Sequence, residues 1–131
     1  MSNIHYIIAT HGQLAEGFAD TVDLLTHHHD CYAVTAYRED EFPANLIHIF
    51  ETLPLHDPIV IFTDLACGSV TQKILELYGQ RPTLHILAGV NLSLILEVIL
   101  SNQTPDEGYL KGVVEAAKEQ ICYLGNICEK Q

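Results

Sequence analysis

His5-Tyr-Ile-Ile-Ala-Thr-His-Gly12 is a short apolar run that stops abruptly at Thr10-His11-Gly12. A run of this length and composition predicts a strand buried on both faces, over Ile4 to Thr10. Helical spacing follows at once in Leu14, Ala15, Phe18, Ala19, Val22 and Leu25. The chain therefore goes strand, tight turn, helix, with His11 on the turn. In open α/β sheets ligands bind outside the carboxyl ends of the strands, at such turns. His11 is thus the first candidate for chemistry.

The same alternation continues outward. Cys31 to Tyr37 is β-branched and aromatic and reads as a second strand. Arg38 to Glu41 is a polar loop, and Pro43 suits the first turn of a helix whose apolar face is Ala44, Leu46, Ile47, Phe50 and Leu53. Ile59 to Thr63 is the most continuously apolar strand and is placed in the sheet centre. A third helix is expected over Val70 to Tyr78, a fourth strand over Thr83 to Ala88, and a fourth helix over Leu92 to Leu100. That fourth helix is apolar almost all round, so it is expected to be covered on more than one side. Asn102 to Gly108 is a polar loop, and Tyr109 to about Leu124 is read as a last amphipathic helix. Strands alternating with helices predict a doubly wound α/β fold, with a mainly parallel sheet covered by helices on both faces. Residues 1–131 are expected to form a single domain.

Composition narrows the function. Net charge is −11, from 17 acidic and 6 basic residues. That disfavours nucleic acid and anionic membranes as partners and suits a partner with a basic face. Val90 to Leu100 is the longest apolar stretch, and it is too short and too interrupted to span a bilayer. With no secretory signal pattern and no C-x-x-C pair, Cys31, Cys67, Cys122 and Cys128 are read as reduced cytosolic thiols. Cys122 and Cys128 would fall on different faces of the last helix. His27-His28-His29 closes the first helix, where adjacent positions diverge; this reads as a favourable helix end rather than a metal site.

The third strand ends in Asp64-Leu-Ala-Cys-Gly68-Ser69. If the first and third strands are neighbours, His11 and Asp64 stand on one rim. A carboxylate on one ring N–H fixes the imidazole tautomer and leaves the other nitrogen's lone pair outward. Gly68 and Ser69 open the third helix, where backbone N–H groups receive anions. Thr10 and Ser69 offer hydroxyls. Together these residues form a phosphoryl acceptor site. Asp64 also reads as a cap for the helix after it, and Ser69 as a cap or turn residue. His5 and His85 read as structural histidines, and His56 as solvated.

Ile7-Ile-Ala-Thr-His-Gly-x-Leu-Ala15, Phe62-Thr-Asp-Leu-Ala-Cys-Gly-Ser69 and Gly89-Val-Asn-Leu92 resemble three segments of the EIIA component of the mannose-class bacterial sugar phosphotransferase system. These are its active-histidine segment, its D-L-x-G-G-S-P loop and its G-x-N-L-P turn. The resemblance covers nearly the whole chain. It implies that His11 takes a phosphoryl group from the phosphocarrier protein HPr and passes it to an EIIB component, with Asp64 as the ring's partner. It further implies a cytoplasmic homodimer and no metal or organic cofactor. A similar domain donates phosphoryl groups to dihydroxyacetone kinase. Cys67, Val70 and Ser93 depart from the family pattern, and a side chain at 67 is expected to narrow the phosphate pocket. The homodimer is expected to bury some of Leu92, Leu94, Ile95 and Ile99. Rival readings are a hydrolase using Ser69, His11 and Asp64, though no G-x-S-x-G elbow is present; a non-catalytic regulatory module; and a flavodoxin-like nucleotide binder, for which no fingerprint is present.

Overall fold

The computed structural model describes residues 3–37 and 41–125. Elements alternate: β1 (His5–His11), α1 (Leu14–Thr26), β2 (Tyr32–Ala36), α2 (Ala44–Thr52), β3 (Ile59–Thr63), α3 (Ser69–Tyr78), β4 (Leu84–Leu87), α4 (Leu92–Ser101) and α5 (Glu107–Lys118). The sheet is parallel throughout, in the order β2-β1-β3-β4. The doubly wound α/β architecture is as expected, and β3 is central and buried at all five positions.

Side-chain alternation along the strands builds two cores. Tyr6, Ile8, Val60 and Phe62 point to one face, under α1, α4 and α5. Ile7, Ala9, Ile59 and Ile61 point to the other, under α2 and α3. Each fully buried Ile or Phe contributes about 1.5–3 kcal/mol of transfer free energy, so both faces are strongly specified. From β1 the chain winds one way to β2, and from β3 it winds the other way to β4. The winding reverses between β1 and β3, which opens a crevice at their carboxyl ends. Ala9 pairs with Thr63 in that register, so His11 and Asp64 lie just beyond the last pairs.

Several expectations are corrected. β1 runs one residue further and includes His11, and β2 stops at Ala36, before Tyr37. Leu14 and Leu25 do not join the buried face of α1; they are 47% and 56% exposed. Ala44 is exposed at the start of α2. α5 starts at Glu107 because Asp106 caps it, accepting from the Tyr109 N–H at 2.8 Å. It ends at Lys118, not near Leu124. Ile121, Tyr123 and Leu124 are 72%, 79% and 58% exposed, so no apolar face is left to continue the helix. Cys122 is therefore outside a helix, and Cys128 lies outside the described residues, as do residues 38–40 of the polar loop.

α4 is covered as expected, but by its own chain. Leu94, Ile95, Val98 and Ile99 are buried against the sheet, α1 and α5. Leu94, Ile95 and Ile99 are thus unavailable as a dimer surface, whereas Leu92 stays part-buried. The three histidines after α1 diverge. His27 takes a left-handed cap conformation, His28 lies edge-on to Tyr6, and His29 pairs with Asp23. Among the described residues no group of three or more His, Cys, Asp or Glu is placed to hold a metal ion.

Candidate functional site: a histidine–aspartate pair at the sheet crevice

His11 ends β1 and is clamped from both neighbouring strands. On the β3 side its backbone N–H donates to Asp64 Oδ2 at 3.0 Å, and its ring Nδ1 lies 3.0 Å from the same oxygen. On the β2 side the following N–H, of Gly12, donates to the Ala36 carbonyl at 2.9 Å. Gly12 has φ +58, a conformation that permits this abrupt exit from the strand. Asp64 does not cap α3, whose cap position is Gly68 with no side-chain bond. Burial raises the Asp64 carboxyl's pKa, but the hydrogen bonds from the His11 backbone N–H and ring outweigh it and hold the group below the usual carboxylate value. An ionised carboxylate only accepts, so Nδ1 carries the ring proton and Nε2 presents its lone pair. The second oxygen, Oδ1, is buried with no partner among the described residues.

Nε2 faces the start of α3. Ser69 Oγ lies 3.4 Å from it. The first helical bond of α3 is Gln72 N–H to the Gly68 carbonyl, which leaves the N–H groups of Ser69, Val70 and Thr71 without a backbone acceptor. The Thr71 hydroxyl braces this loop through the Thr63 hydroxyl at 2.8 Å and the Leu65 carbonyl at 2.7 Å. The His11 side chain is 37% exposed and that of Asp64 14%, so the ring is reachable while its partner is sheltered.

Two of the five candidate site residues have other tasks. Thr10 is fully buried, and its hydroxyl accepts from the Ala15 N–H at 2.7 Å and donates to the His11 carbonyl at 3.2 Å. It anchors the first turn of α1 and does not reach the rim. The Gly68 N–H donates to the Leu65 carbonyl at 3.2 Å, so it is not a free anion donor. Gly68 acts by lacking a side chain: a Cβ there would stand 3.0 Å from Leu65 Cβ and 3.2 Å from His11 Cε1. Gly68→Ala is therefore expected to displace the imidazole and slow any chemistry at Nε2 by about tenfold or more, the scale on which small misplacements act. A phosphorylation time course compared with wild type measures this. Cys67 is exposed, and its φ is not in the left-handed region.

Tyr37 is a site neighbour not foreseen from the sequence. Its ring centroid is 5.5 Å from that of His11, tilted by 38°. Its φ of +65 is left-handed, which costs a non-glycine residue about 1–2 kcal/mol. The sequence signal was its position next to the end of the second strand, which has meaning only once β2 is known to lie beside β1. The Gly89-Val-Asn-Leu92 turn supports the site from below. Val90 N–H donates to the Thr63 carbonyl, and Asn91 caps α4 through the Leu94 N–H while donating to the Ala117 carbonyl.

Known proteins resemble this chain in sequence and fold. The model of the family described as "PTS system fructose IIA component" matches residues 5–117. The chain is 29% identical over 124 residues to the sorbose-specific EIIA component of the Klebsiella pneumoniae phosphotransferase system, covering 92% of this chain and 91% of that one. A solved Klebsiella pneumoniae subsp. pneumoniae structure assigned to a phosphoenolpyruvate-dependent sugar phosphotransferase system superposes with a TM-score of 0.85 at 29% identity, covering 97% and 95% of the two chains. The mannose/sorbose-specific IIA subunit of Enterococcus faecalis shares the fold, with a TM-score of 0.77 at 20% identity and coverage of 94% and 95%. This chain belongs to the mannose-class EIIA family of the sugar phosphotransferase system.

Proposed function

We propose that His11 is the phosphoryl acceptor of a sugar phosphotransferase system, taking the group from phosphorylated HPr at Nε2 and passing it to an EIIB component during sugar uptake. The observation that carries this reading is the His11 Nδ1 to Asp64 Oδ2 contact, which aims Nε2 at the amino end of α3. The Nε2 lone pair attacks the phosphorus in line, and the bond from phosphorus to the donor nitrogen breaks. Asp64 stabilises the positive charge that develops on the ring. The Ser69 hydroxyl and the N–H groups of Ser69, Val70 and Thr71 receive the charge on the phosphoryl oxygens. Leu14 and Leu65, 47% and 57% exposed, flank this rim in sequence and offer apolar contact to the partner proteins.

Incubation with phospho-HPr tests the reading. One phosphoryl group per chain is expected, labile in acid and stable in alkali, and transferable to EIIB. Transfer to dihydroxyacetone kinase instead of EIIB would establish the alternative acceptor. Retention without onward transfer would indicate a regulatory module. One observation favours a second reading: Ser69, His11 and Asp64 form a line resembling a hydrolytic triad. A serine-directed covalent probe on Ser69 tests it, and an acid-stable phosphoester there would displace the carrier reading.

A cytoplasmic homodimer belongs to the same proposal. Among the described residues no helix is long and apolar enough to cross a membrane. With Leu94, Ile95 and Ile99 buried internally, candidate surfaces for a second copy include the outer edge of β4 and the exposed Leu24, Leu25 and Leu100. Light scattering at micromolar concentration is expected to give twice the chain mass; a monomer mass would exclude the dimer.

A further inference from the structure

Tyr37 is an outlier in conformation and in placement. Bulky residues with positive φ persist where the surroundings dictate them, and they gather at functional sites. Tyr37 is the first residue beyond β2, it takes a left-handed conformation, and its ring lies beside that of His11. The ring meets the imidazole on one side and the Phe42 ring on the other, with centroids 5.5 and 5.6 Å away. It also forms a wall of an open groove with Ser69, Gln72 and Lys73. The ring thus lies against the imidazole, while Asp64 holds Nδ1 and Ser69 meets Nε2.

We propose that Tyr37 is a positioning residue of the phosphoryl-transfer site. Its ring fixes the rotation of the His11 imidazole and screens phosphorylated His11 from water. The inference deepens the phosphoryl-carrier reading and rests on it. The reaction it suppresses is hydrolysis. A water oxygen bonds to phosphorus, the Nε2–phosphorus bond breaks with its electron pair returning to Nε2, and the water's protons leave with inorganic phosphate or to solvent, restoring neutral His11 with its proton on Nδ1. The aromatic face performs both tasks, so the phenol hydroxyl is dispensable.

Two variants separate ring from backbone. Asparagine tolerates the left-handed conformation, so Tyr37→Asn keeps the turn and deletes the ring. Tyr37→Phe keeps the ring and deletes the hydroxyl. Tyr37 is 54% exposed, so both variants leave the two cores intact. After labelling with phospho-HPr, the half-life of phospho-His11 at neutral pH is expected to match wild type in Tyr37→Phe. It is expected to shorten in Tyr37→Asn by about two- to tenfold, the range that an aromatic pair contributes. The second readout needs no phosphoryl group. In nitrogen-resolved NMR of the unmodified protein, the His11 Nδ1 proton is expected to exchange with water faster in Tyr37→Asn by a similar factor. Unchanged half-life and unchanged exchange in Tyr37→Asn would overturn the inference, as would equal loss in Tyr37→Phe. Absence of His11 labelling in wild type, with faster exchange in Tyr37→Asn, would instead overturn the carrier reading while retaining the ring's positioning role.

Discussion

His11→Ala is expected to abolish phosphorylation by phospho-HPr while the domain remains folded. The His11 side chain is 37% exposed and belongs to neither apolar core, so its removal takes away one ring-to-carboxylate bond and little packing. That loss is worth about 1.5–3 kcal/mol for a bond to a charged group, tolerable for a domain with two cores. Mass spectrometry under alkaline conditions reads the labelling, and circular dichroism reads the fold. Labelling that survives in the variant would place the acceptor elsewhere and remove the basis of the proposed mechanism.

Asp64→Asn is expected to give the second largest effect, and the structure fixes its form. Oδ2 of Asp64 accepts from both the His11 backbone N–H and the ring. An amide must therefore turn its oxygen, not its NH₂, toward His11, which preserves the tautomer with the proton on Nδ1. What it loses is the negative charge opposite the developing imidazolium. Labelling is expected to slow by about 10²–10³-fold, the scale of losing one preorganised electrostatic group, with the circular dichroism spectrum unchanged. Asp64→Ala should be slower still and less stable, because the His11 backbone N–H then has no acceptor, at a cost of about 1–3 kcal/mol. The pH dependence has a definite sign. The Asp64 carboxyl titrates below its ordinary value in the folded protein. Its stabilisation is complete above the unfolded carboxyl value and is lost as pH falls through the folded one. Acid scans of melting temperature below about pH 4 should be steeper for wild type than for Asp64→Asn.

Much of this site was readable because it depends on local pattern. A continuous apolar run identifies a doubly covered strand without any knowledge of its neighbours, so β3 was bounded correctly at Ile59 and Thr63. His11 and Asp64 were legible because each follows such a run directly. The residues that were misassigned depend on contacts between distant segments. Thr10 is next to His11 in sequence, but strand alternation turns it inward, where its hydroxyl accepts from the Ala15 N–H. The glycine at 68 matters through the space it leaves for His11 Cε1, which no spacing rule reports. The expected dimer surface is narrowed for a related reason. An all-apolar helix shows that several sides are covered but does not say by what, and here α1 and α5 of the same chain pack against it.

β1 carries a histidine at each end, and each meets an aspartate adjoining an end of β3: His5 with Asp57 at 2.9 Å, and His11 with Asp64 at 3.0 Å. As chemical pairs they are nearly equivalent; their surroundings have opposite polarity. Helix α3 begins beside His11, whereas α1 finishes near His5, where His28, His29 and Asp30 share a concavity with it. Helix starts draw negative charge and helix ends repel it. The helix polarity therefore favours the proposed phosphoryl group at the His11 end over the His5 end, although the two pairs are alike. The parallel layout gives the two ends of β1 opposite helix polarity: an amino end of a helix beside His11 and a carboxyl end of a helix near His5. If His11 is the acceptor, His5 is therefore not expected to take over when His11 is lost.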